Sequence, residues 1–268
     1  MTRKEMLIAI AIVALGAIAA GIYFYYQSRA QKPLVAAIQT PGPSVSAPAI
    51  PEQEAPIQNP IPADPGESAP APALDADEAD APLLQGLNKV FGARSVAQFV
   101  VPQMLVRHVV ATIDNLPRKK APLQMWPVKP TPGKPLTSGP EDALILSAES
   151  YARYAPLVHV VQSADMKQLS QLYMRFYPTF QKAYEELGFP SKYFNDRLVA
   201  VIDDLLATPD VTSPIALEQP NVLYTFKDPA LENLSAGQKV LIRMGPENAA
   251  IVKQKLRELR GDVATGSR

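Results

Sequence analysis

The residues that could form a binding site are polar and aromatic side chains, most of them near the ends of expected helices. An arginine within an apolar helix needs a carboxylate or a carbonyl as its partner, because an unpaired buried charge is strongly unfavourable. The pattern therefore predicts a structural ion-pair network, with a binding site as the alternative. The candidate binding residues are Arg107, Asp114, Asn115, Arg118, Tyr151, Arg153, Tyr154, Lys239, Arg243 and Asn248.

Carboxylates could also carry chemistry, and they occur as the neighbours Glu185-Glu186 and Asp203-Asp204. Adjacent residues on a helix point about 100° apart, so neither pair by itself forms a shared acid and base site. Glycoside hydrolysis requires two carboxylates that face one cleft, roughly 5–10 Å apart. We assign no catalytic residue. An enzyme that acts on glycan or peptide is the alternative, and it would use a carboxylate such as Glu185 or Asp203.

The sequence lacks the motifs of metal and nucleotide enzymes. It contains no cysteine, and its two histidines, His108 and His159, lie singly within expected helices. The patterns HExxH, GxGxxG, GxxxxGKS/T and GxSxG do not occur. We therefore expect no metal site, no cofactor and no nucleic-acid partner.

Aromatic residues mark one face of an expected helix. Tyr173, Phe176, Tyr177, Phe180 and Tyr184 follow the spacing i, i+3, i+4, i+7 and i+11. Such a stripe at helical spacing predicts the apolar core of the domain. In the alternative, tyrosine hydroxyls at the margin of the stripe line a groove for glycan or peptide.

Apolar periodicity and capping residues predict a mainly α, compact domain over residues 83–260, with room for one small β-hairpin. Pro102 should kink or start the first helix, and Pro117 should end it. Asp165 should begin the longest helix, and Gly188 should end it. The expected helices cover 95–116, 147–162, 165–187, 191–207, 236–244 and 246–260, and the strand-like runs cover 215–217 and 222–226.

An uncharged apolar run, Met6–Tyr26, precedes the domain. As a helix it would span roughly 32 Å, which matches a hydrocarbon core of about 30 Å. Its aromatic end, Tyr23–Tyr26, suits the level of the lipid headgroups. We interpret the run as a single-pass transmembrane helix behind a short flank (1–5), with a cleaved signal peptide as the alternative. The short flank favours an exported domain, and the reverse orientation would place the domain at the cytoplasmic face.

The segment 27–82 has the composition of a disordered linker. Between Pro33 and Pro82 lie 12 of the 28 prolines and eight acidic residues, but no lysine, arginine or aromatic residue. Such a segment cannot bury enough apolar surface to offset its ordering entropy. We predict a disordered acidic spacer, biased to polyproline II, whose fifty residues reach at most roughly 150 Å. From Leu83 to the end, the chain has a net charge near +5, from 22 basic and 17 acidic residues. Residues 261–268 are predicted to be a disordered tail.

Four longer runs of the domain are distinctive: Arg107–Arg118, Tyr151–Tyr154, Ala183–Pro190 and Gln238–Asn248. Together they resemble an uncharacterised bacterial family, a domain of unknown function with the number three thousand and fourteen in that series. The resemblance covers nearly all of residues 83–260. It implies an N-terminal anchor, a Pro/Ala-rich linker and an envelope setting in Gram-negative bacteria. It lends no activity, substrate or catalytic residue.

These features predict a single-pass protein of the bacterial inner membrane with its domain in the periplasm. Its N-terminal helix would contact the lipid bilayer, and its further partner would be an envelope protein or a cell-wall polymer. Because no catalytic signature occurs, we favour a non-catalytic binding domain. The alternative is an envelope enzyme that acts on glycan or peptide in an aromatic groove.

Overall fold

The computed structural model describes residues 56–61, 72–211, 214–220 and 223–264. In these ranges the chain is mainly helical, with two small antiparallel sheets and short 3-10 segments at Leu123–Met125, Glu141–Ala143 and Ala148–Arg153. The strands are β1 (Thr137–Ser138), β2 (Ile145–Leu146), β3 (Leu217–Glu218) and β4 (Thr225–Phe226). The helices are α1 (Ala76–Phe91), α2 (Ala93–Phe99), α3 (Leu105–Asn115), α4 (Ala155–Ser163), α5 (Met166–Glu186), α6 (Phe194–Leu206), α7 (Pro229–Glu232), α8 (Ala236–Met244) and α9 (Pro246–Val263).

Several predictions for the N-terminal part fall on residues that the structure does not describe. Within the described ranges, no helix is long and apolar enough to cross a membrane. The expected flank at 1–5, the expected span at 6–26 and the linker residues 27–55 and 62–71 lie outside these ranges, as do the last residues, 265–268.

The ordered domain begins earlier and ends later than the composition predicts. Helix α1 starts at Ala76 and contains Pro82, so the prediction of a disordered linker through Pro82 is wrong for this part. The cause is burial: Ala76, Ala79 and Leu83 recur at i, i+3 and i+7 and pack in the core with α5. At the other end, α9 continues past residue 260 to Val263, whose side chain is fully buried against α6.

The first expected helix is interrupted rather than kinked. Residues 95–116 form parts of α2 and α3, with extended backbone at Val100 between them. Pro102 explains the break, because the residue before a proline is disfavoured in the helical region. Helix α3 restarts after Met104, and the Asp80 carboxylate of α1 accepts a hydrogen bond from the Val106 N–H at 3.0 Å.

The longest helix and its aromatic stripe are confirmed. Asp165 caps α5 by accepting hydrogen bonds from the N–H groups of Lys167 and Gln168. Phe176, Phe180 and Tyr184 are buried, with Tyr173 and Tyr177 packed against them. Phe194, the first residue of α6, completes this core, and its ring centroid lies 5.8 Å from that of Phe180 and 5.5 Å from that of Tyr184. Helix α6 begins at Phe194, three residues after the start of the helix expected at 191–207.

The C-terminal part follows the predicted order. Ser235 and Gln238 form a capping box at the start of α8. Gly245, with φ of 84°, separates α8 from α9, and Pro246 is the first residue of α9. The two strand-like runs pair as β3 and β4, with Leu217 opposite Phe226. The pair β1–β2 was not predicted, and a bridge between Ile145 and Ala216 links it to β3.

The burial of Phe194 gives a direct test of this core. Phe194→Ala should lower the free energy of unfolding by about 3–5 kcal/mol, because a large cavity would remain among the aromatic rings. Urea unfolding of the full chain in detergent, followed by circular dichroism, measures the loss. Leu223→Ala is the control, since Leu223 is 76% exposed, and it should change stability by less than about 0.5 kcal/mol. Equal losses would contradict this description of the core.

Candidate functional site

The last turn of α3 holds a buried carboxylate between two arginines. Asp114 is 3% exposed, and Arg118 donates a hydrogen bond from Nη2 to its Oδ2. Arg197, from α6, places Nε 3.1 Å from Oδ1, an electrostatic contact in which the N–H is not aligned for a hydrogen bond. Its Nη2 donates to the Asp114 backbone carbonyl at 2.5 Å. Two cations therefore neutralise one buried carboxylate and tie α3 to α6.

The same end of α3 binds the first turn of α8. The backbone carbonyl of Leu116 accepts a hydrogen bond from the Gly237 N–H at 2.9 Å, and that of Arg118 accepts one from the Ala236 N–H at 2.7 Å. Helices leave their last carbonyls and first N–H groups without partners inside the helix. Here carbonyls just after α3 accept hydrogen bonds from the first N–H groups of α8. Gly237 also lies close to α6, because a Cβ there would be 2.5 Å from Leu205 Cδ2, whereas it would be 3.4 Å from Leu116 Cδ2.

A second polar cluster surrounds the last two turns of α8. The Arg243 guanidinium lies over the Phe226 ring, 4.4 Å from its centroid, and donates to the Tyr224 carbonyl at 3.4 Å. Burial lowers the pKa of Arg243, while the negative charge of Glu232 opposes that shift. The stacking on Phe226 provides this cation with a partner in a mostly apolar setting.

Glu232 connects this cluster to Lys239. Lys239 Nζ donates to the Glu232 carboxylate at 2.8 Å, and the same carboxylate accepts a hydrogen bond from the Phe226 N–H at 3.0 Å. Burial alone would raise the pKa of Glu232, but the hydrogen bonds from Lys239 and Phe226 lower it further than burial raises it. The charged pair therefore fixes α7 and β4 against α8.

Tyr151 and Asn248 meet at the junction of α8 and α9. Asn248 Nδ2 donates to the Tyr151 carbonyl at 3.1 Å and to the Met244 carbonyl at 2.8 Å. The Tyr151 ring lies against Gly245, where a Cβ would be 2.5 Å from the ring. Burial raises the pKa of the Tyr151 hydroxyl. Residue 245 must therefore be glycine, both because its φ is positive and because the Tyr151 ring approaches it closely.

Arg153 holds a proline-rich loop in place. Its guanidinium donates to the carbonyls of Pro132 at 3.1 Å, Gly133 at 2.7 Å and Thr131 at 3.4 Å. The guanidinium also lies 5.8 Å from the centre of the Tyr154 ring. A single cation therefore binds three successive carbonyls, which positions this loop relative to the 3-10 helix at Ala148–Arg153.

We refer to residues 118–134 as the basic loop. No acidic residue occurs between Asn115 and Pro140. The apolar side chain of Leu123 is 65% exposed on the loop, and that of Leu136 just after it is 49% exposed. The basic side chains of the loop are Arg118, Lys119, Lys120, Lys129 and Lys134, and all five are exposed.

The basic loop is held at several points along its length. The Thr112 hydroxyl donates to the Met125 carbonyl at 2.8 Å. Further on, the Val101 N–H donates to the Pro127 carbonyl at 2.9 Å, and the Lys129 N–H donates to the Phe99 carbonyl at 2.7 Å. Together with Arg118 and Arg153, these contacts hold the lysines on a defined surface rather than on a freely moving segment.

Two of the predicted candidates take no part in these clusters. Arg107 is exposed on α3 and forms an ion pair with Asp77 of α1 at 3.4 Å. Asn115 donates from Nδ2 to the Ala111 carbonyl of its own helix at 2.7 Å. The structure therefore gathers the candidates into separate contacts with neighbouring elements, not into one pocket.

The carboxylates of the enzymatic alternative do not converge. Glu185 accepts a hydrogen bond from Gln181 at 2.8 Å, and Gln181 also accepts one from the Phe194 N–H, at the start of α6. Asp203 lies near the other end of α6, where it pairs with Arg260. Nine residues of helix separate Phe194 from Asp203, which corresponds to about 14 Å. Both carboxylates are exposed, and no shared cleft brings them together.

The comparison with protein families agrees with this domain. A family model described as "Protein of unknown function (DUF3014)" matches residues 105–260. The chain belongs to this family. The match begins at the first residue of α3 and ends within α9, so it includes both polar clusters and the basic loop. No curated protein and no solved structure matches the chain.

Two residues of this DUF3014 domain were missed by the sequence analysis. Arg197 completes the Asp114 pair, but it lies 83 residues away along the chain, and no local pattern indicates it. Glu232 precedes Lys239 by seven residues, with the non-helical Asn233 and Leu234 between.

In the described ranges, no group of three or more histidine or acidic side chains could hold a metal ion.

The Asp114 cluster should contribute strongly to stability. Asp114→Asn would leave Arg197 without its compensating charge, so we expect the free energy of unfolding to fall by about 2–4 kcal/mol. Asp77→Asn is the matched control, because Asp77 forms only an exposed ion pair with Arg107, and its loss should stay below about 1 kcal/mol. Urea unfolding at neutral pH provides both values. Similar losses in the two variants would contradict a structural role for Asp114.

Proposed function

We propose that this chain is a membrane-tethered envelope protein whose DUF3014 domain binds an anionic cell-wall polymer without catalysing a reaction. In this proposal the N-terminal run anchors the chain in the bacterial inner membrane as a single span. The acidic linker then carries the domain into the periplasm. The basic loop would be the surface that contacts the polymer.

The distribution of charge carries this proposal. From Leu83 to the end of the chain, 22 basic minus 17 acidic residues leave a net charge of +5. The basic loop holds five basic residues and no acidic one, which equals that whole excess. A concentrated positive surface attracts anionic groups over a longer range than scattered charge does. Exposed Leu123 adds an apolar contact beside the lysines.

The polar clusters support a binding role over a catalytic one. Asp114 with Arg118 positions the beginning of the basic loop, and Arg153 positions its end. Each of these groups is engaged in a structural contact, so the clusters act as supports for the loop surface. The enzymatic alternative would require converging carboxylates, whereas Glu185 and Asp203 lie near opposite ends of α6.

Charge reversal on the basic loop tests the proposed surface. The double substitution Lys120→Glu with Lys134→Glu should weaken co-sedimentation of the full chain with purified cell-wall sacculi at least about tenfold. Binding of the unsubstituted chain should also weaken as the salt concentration rises. The matched control is Lys167→Glu with Arg175→Glu, because both residues are exposed on α5 and are not part of the loop. This control carries the same change in net charge and should keep its binding.

The outcomes separate the possible partners. Equal weakening in both double variants would show that only net charge matters, which would contradict the assignment to the loop. Absence of sedimentation, together with capture of a specific protein in cross-linked envelopes, would replace the polymer with an envelope protein.

The proposed topology has its own test. Alkaline phosphatase fused after Arg268 should be active, because this enzyme requires the oxidising periplasm, and a cytoplasmic fluorescent reporter fused at the same position should stay dark. Fluorescence without phosphatase activity would place the domain at the cytoplasmic face of the membrane. That result would overturn both the periplasmic location and the proposed contact with the cell wall.

A further inference from the structure

A short piece of the acidic linker binds the surface of the domain. Residues 56–61 (Pro-Ile-Gln-Asn-Pro-Ile), which we call the strap, lie against the start of α6. The Asp196 carboxylate accepts hydrogen bonds from the Gln58 N–H at 3.1 Å and from the Asn59 N–H at 2.6 Å. It also accepts one from Asn59 Nδ2 at 3.2 Å. One side chain therefore binds two successive backbone N–H groups and an amide.

Asn195, the residue before Asp196, also binds the strap. Its side chain is 1% exposed, and Nδ2 donates to the Asn59 carbonyl at 2.8 Å and to the Val263 carbonyl at 2.9 Å. The Tyr173 hydroxyl donates to its Oδ1 at 3.0 Å. All of these bonds orient one amide, and one of its two N–H groups points at the strap. Without the strap, this N–H would lose its carbonyl partner and would have to bind water instead.

The surroundings of Asp196 strengthen its hydrogen bonds to the strap. Burial and then the charge of Asp196 raise the pKa of Tyr177 to about 12. Asp196 is itself half-buried, and hydrogen bonds to a charged acceptor are stronger in a partly desolvated region than in water.

The composition of the strap suits binding to the half-buried carboxylate of Asp196. No charged residue occurs between Glu54 and Asp64, so Asp196 meets the neutral part of an otherwise acidic linker. Pro60 biases Asn59 towards an extended backbone, and Pro56 restricts the chain just before the strap. Less conformational entropy is therefore lost when the strap binds.

We propose that Asn195 and Asp196 form an intramolecular peptide-binding site, and that its ligand is the strap of the same chain. Binding there divides the linker into a membrane-side part and a closed loop. A polyproline II segment of 29 residues, the length of 27–55, would reach about 90 Å, and one of 49 residues, the length of 27–75, would reach about 150 Å. The site therefore sets how far the domain works from the membrane. This consequence rests on the proposed anchor, whereas the contact itself does not.

Hydrogen exchange of the full chain tests the contact. The amides of Gln58 and Asn59 should exchange at least about tenfold more slowly in the unsubstituted chain than in Asp196→Ala, because that substitution removes three hydrogen bonds to a charged acceptor. Asp203→Ala is the matched control, since it removes an aspartate of the same helix that pairs with Arg260 and not with the strap. Exchange at the strap should stay slow in this control.

A second variant excludes a general loosening of α6. Asn59→Ala leaves the domain unchanged and removes one of the bonds to Asp196, so strap exchange should accelerate while exchange in α6 stays the same. Fast exchange of both amides in the unsubstituted chain would overturn the proposal. Protection that disappears on dilution would also overturn it, because the strap would then come from a second copy.

The change in reach can be measured separately. The chain contains no cysteine, so two introduced cysteines, Gln31→Cys and Glu186→Cys, accept fluorescent labels specifically. In detergent, with no polymer present, energy transfer should report a longer mean separation in Asp196→Ala than in Asp203→Ala. Equal separations would overturn the role in reach. Because no binding partner is involved, failure here is distinguishable from failure of the proposed polymer contact.

Discussion

Asp114 and the two carbonyls that follow it, those of Leu116 and Arg118, join three helices at one point. The carboxylate binds Arg197 of α6, and the carbonyls bind the first N–H groups of α8. A buried charge tolerates few alternative arrangements, because each one would leave it unpaired. The path of the chain after α3 therefore depends on this contact. The basic loop begins at Arg118, so the contacts of residues 114–118 with α6 and α8 also position the lysines of the loop.

Local signals predicted the elements whose determinants lie within a few residues. The helix starts at Asp165 and Ala236 and the break at Gly245 each depend on contacts inside one turn of the chain. The candidate site could be predicted only in part for the same reason. Arg118 was named because it lies, with Asp114, near the end of the first expected helix, whereas Arg197 approaches through tertiary packing that no spacing reveals. The sequence also predicted a structural ion-pair network rather than a binding pocket. It did not indicate that residues of this network hold the basic loop in place.

Composition gave a wrong prediction for the start of α1, because burial of a few residues outweighed the acidic, proline-containing composition. Residues 76–82 are rich in acid and contain proline, which is typical of a disordered linker. Yet α1 buries a face of small and apolar residues, and the residues around it find specific partners. Asp75 pairs with Lys182, Asp77 with Arg107, and Asp80 caps α3. Mean composition does not distinguish carboxylates that have a specific partner from carboxylates that face only water, because the partners come from other parts of the chain.

The same pairing explains why positive charge remains concentrated on the basic loop. The described carboxylates just before and within α1 bind Lys182, Arg107 and the start of α3, and none of their contacts is with the lysines of residues 118–134. The strap likewise brings a neutral stretch, not an acidic one, to the domain. An acidic linker that bound the basic loop would cancel its field and compete with an anionic partner. The described part of the acidic segment instead makes its contacts at α3, α5 and α6, and none of these contacts involves the lysines of the basic loop.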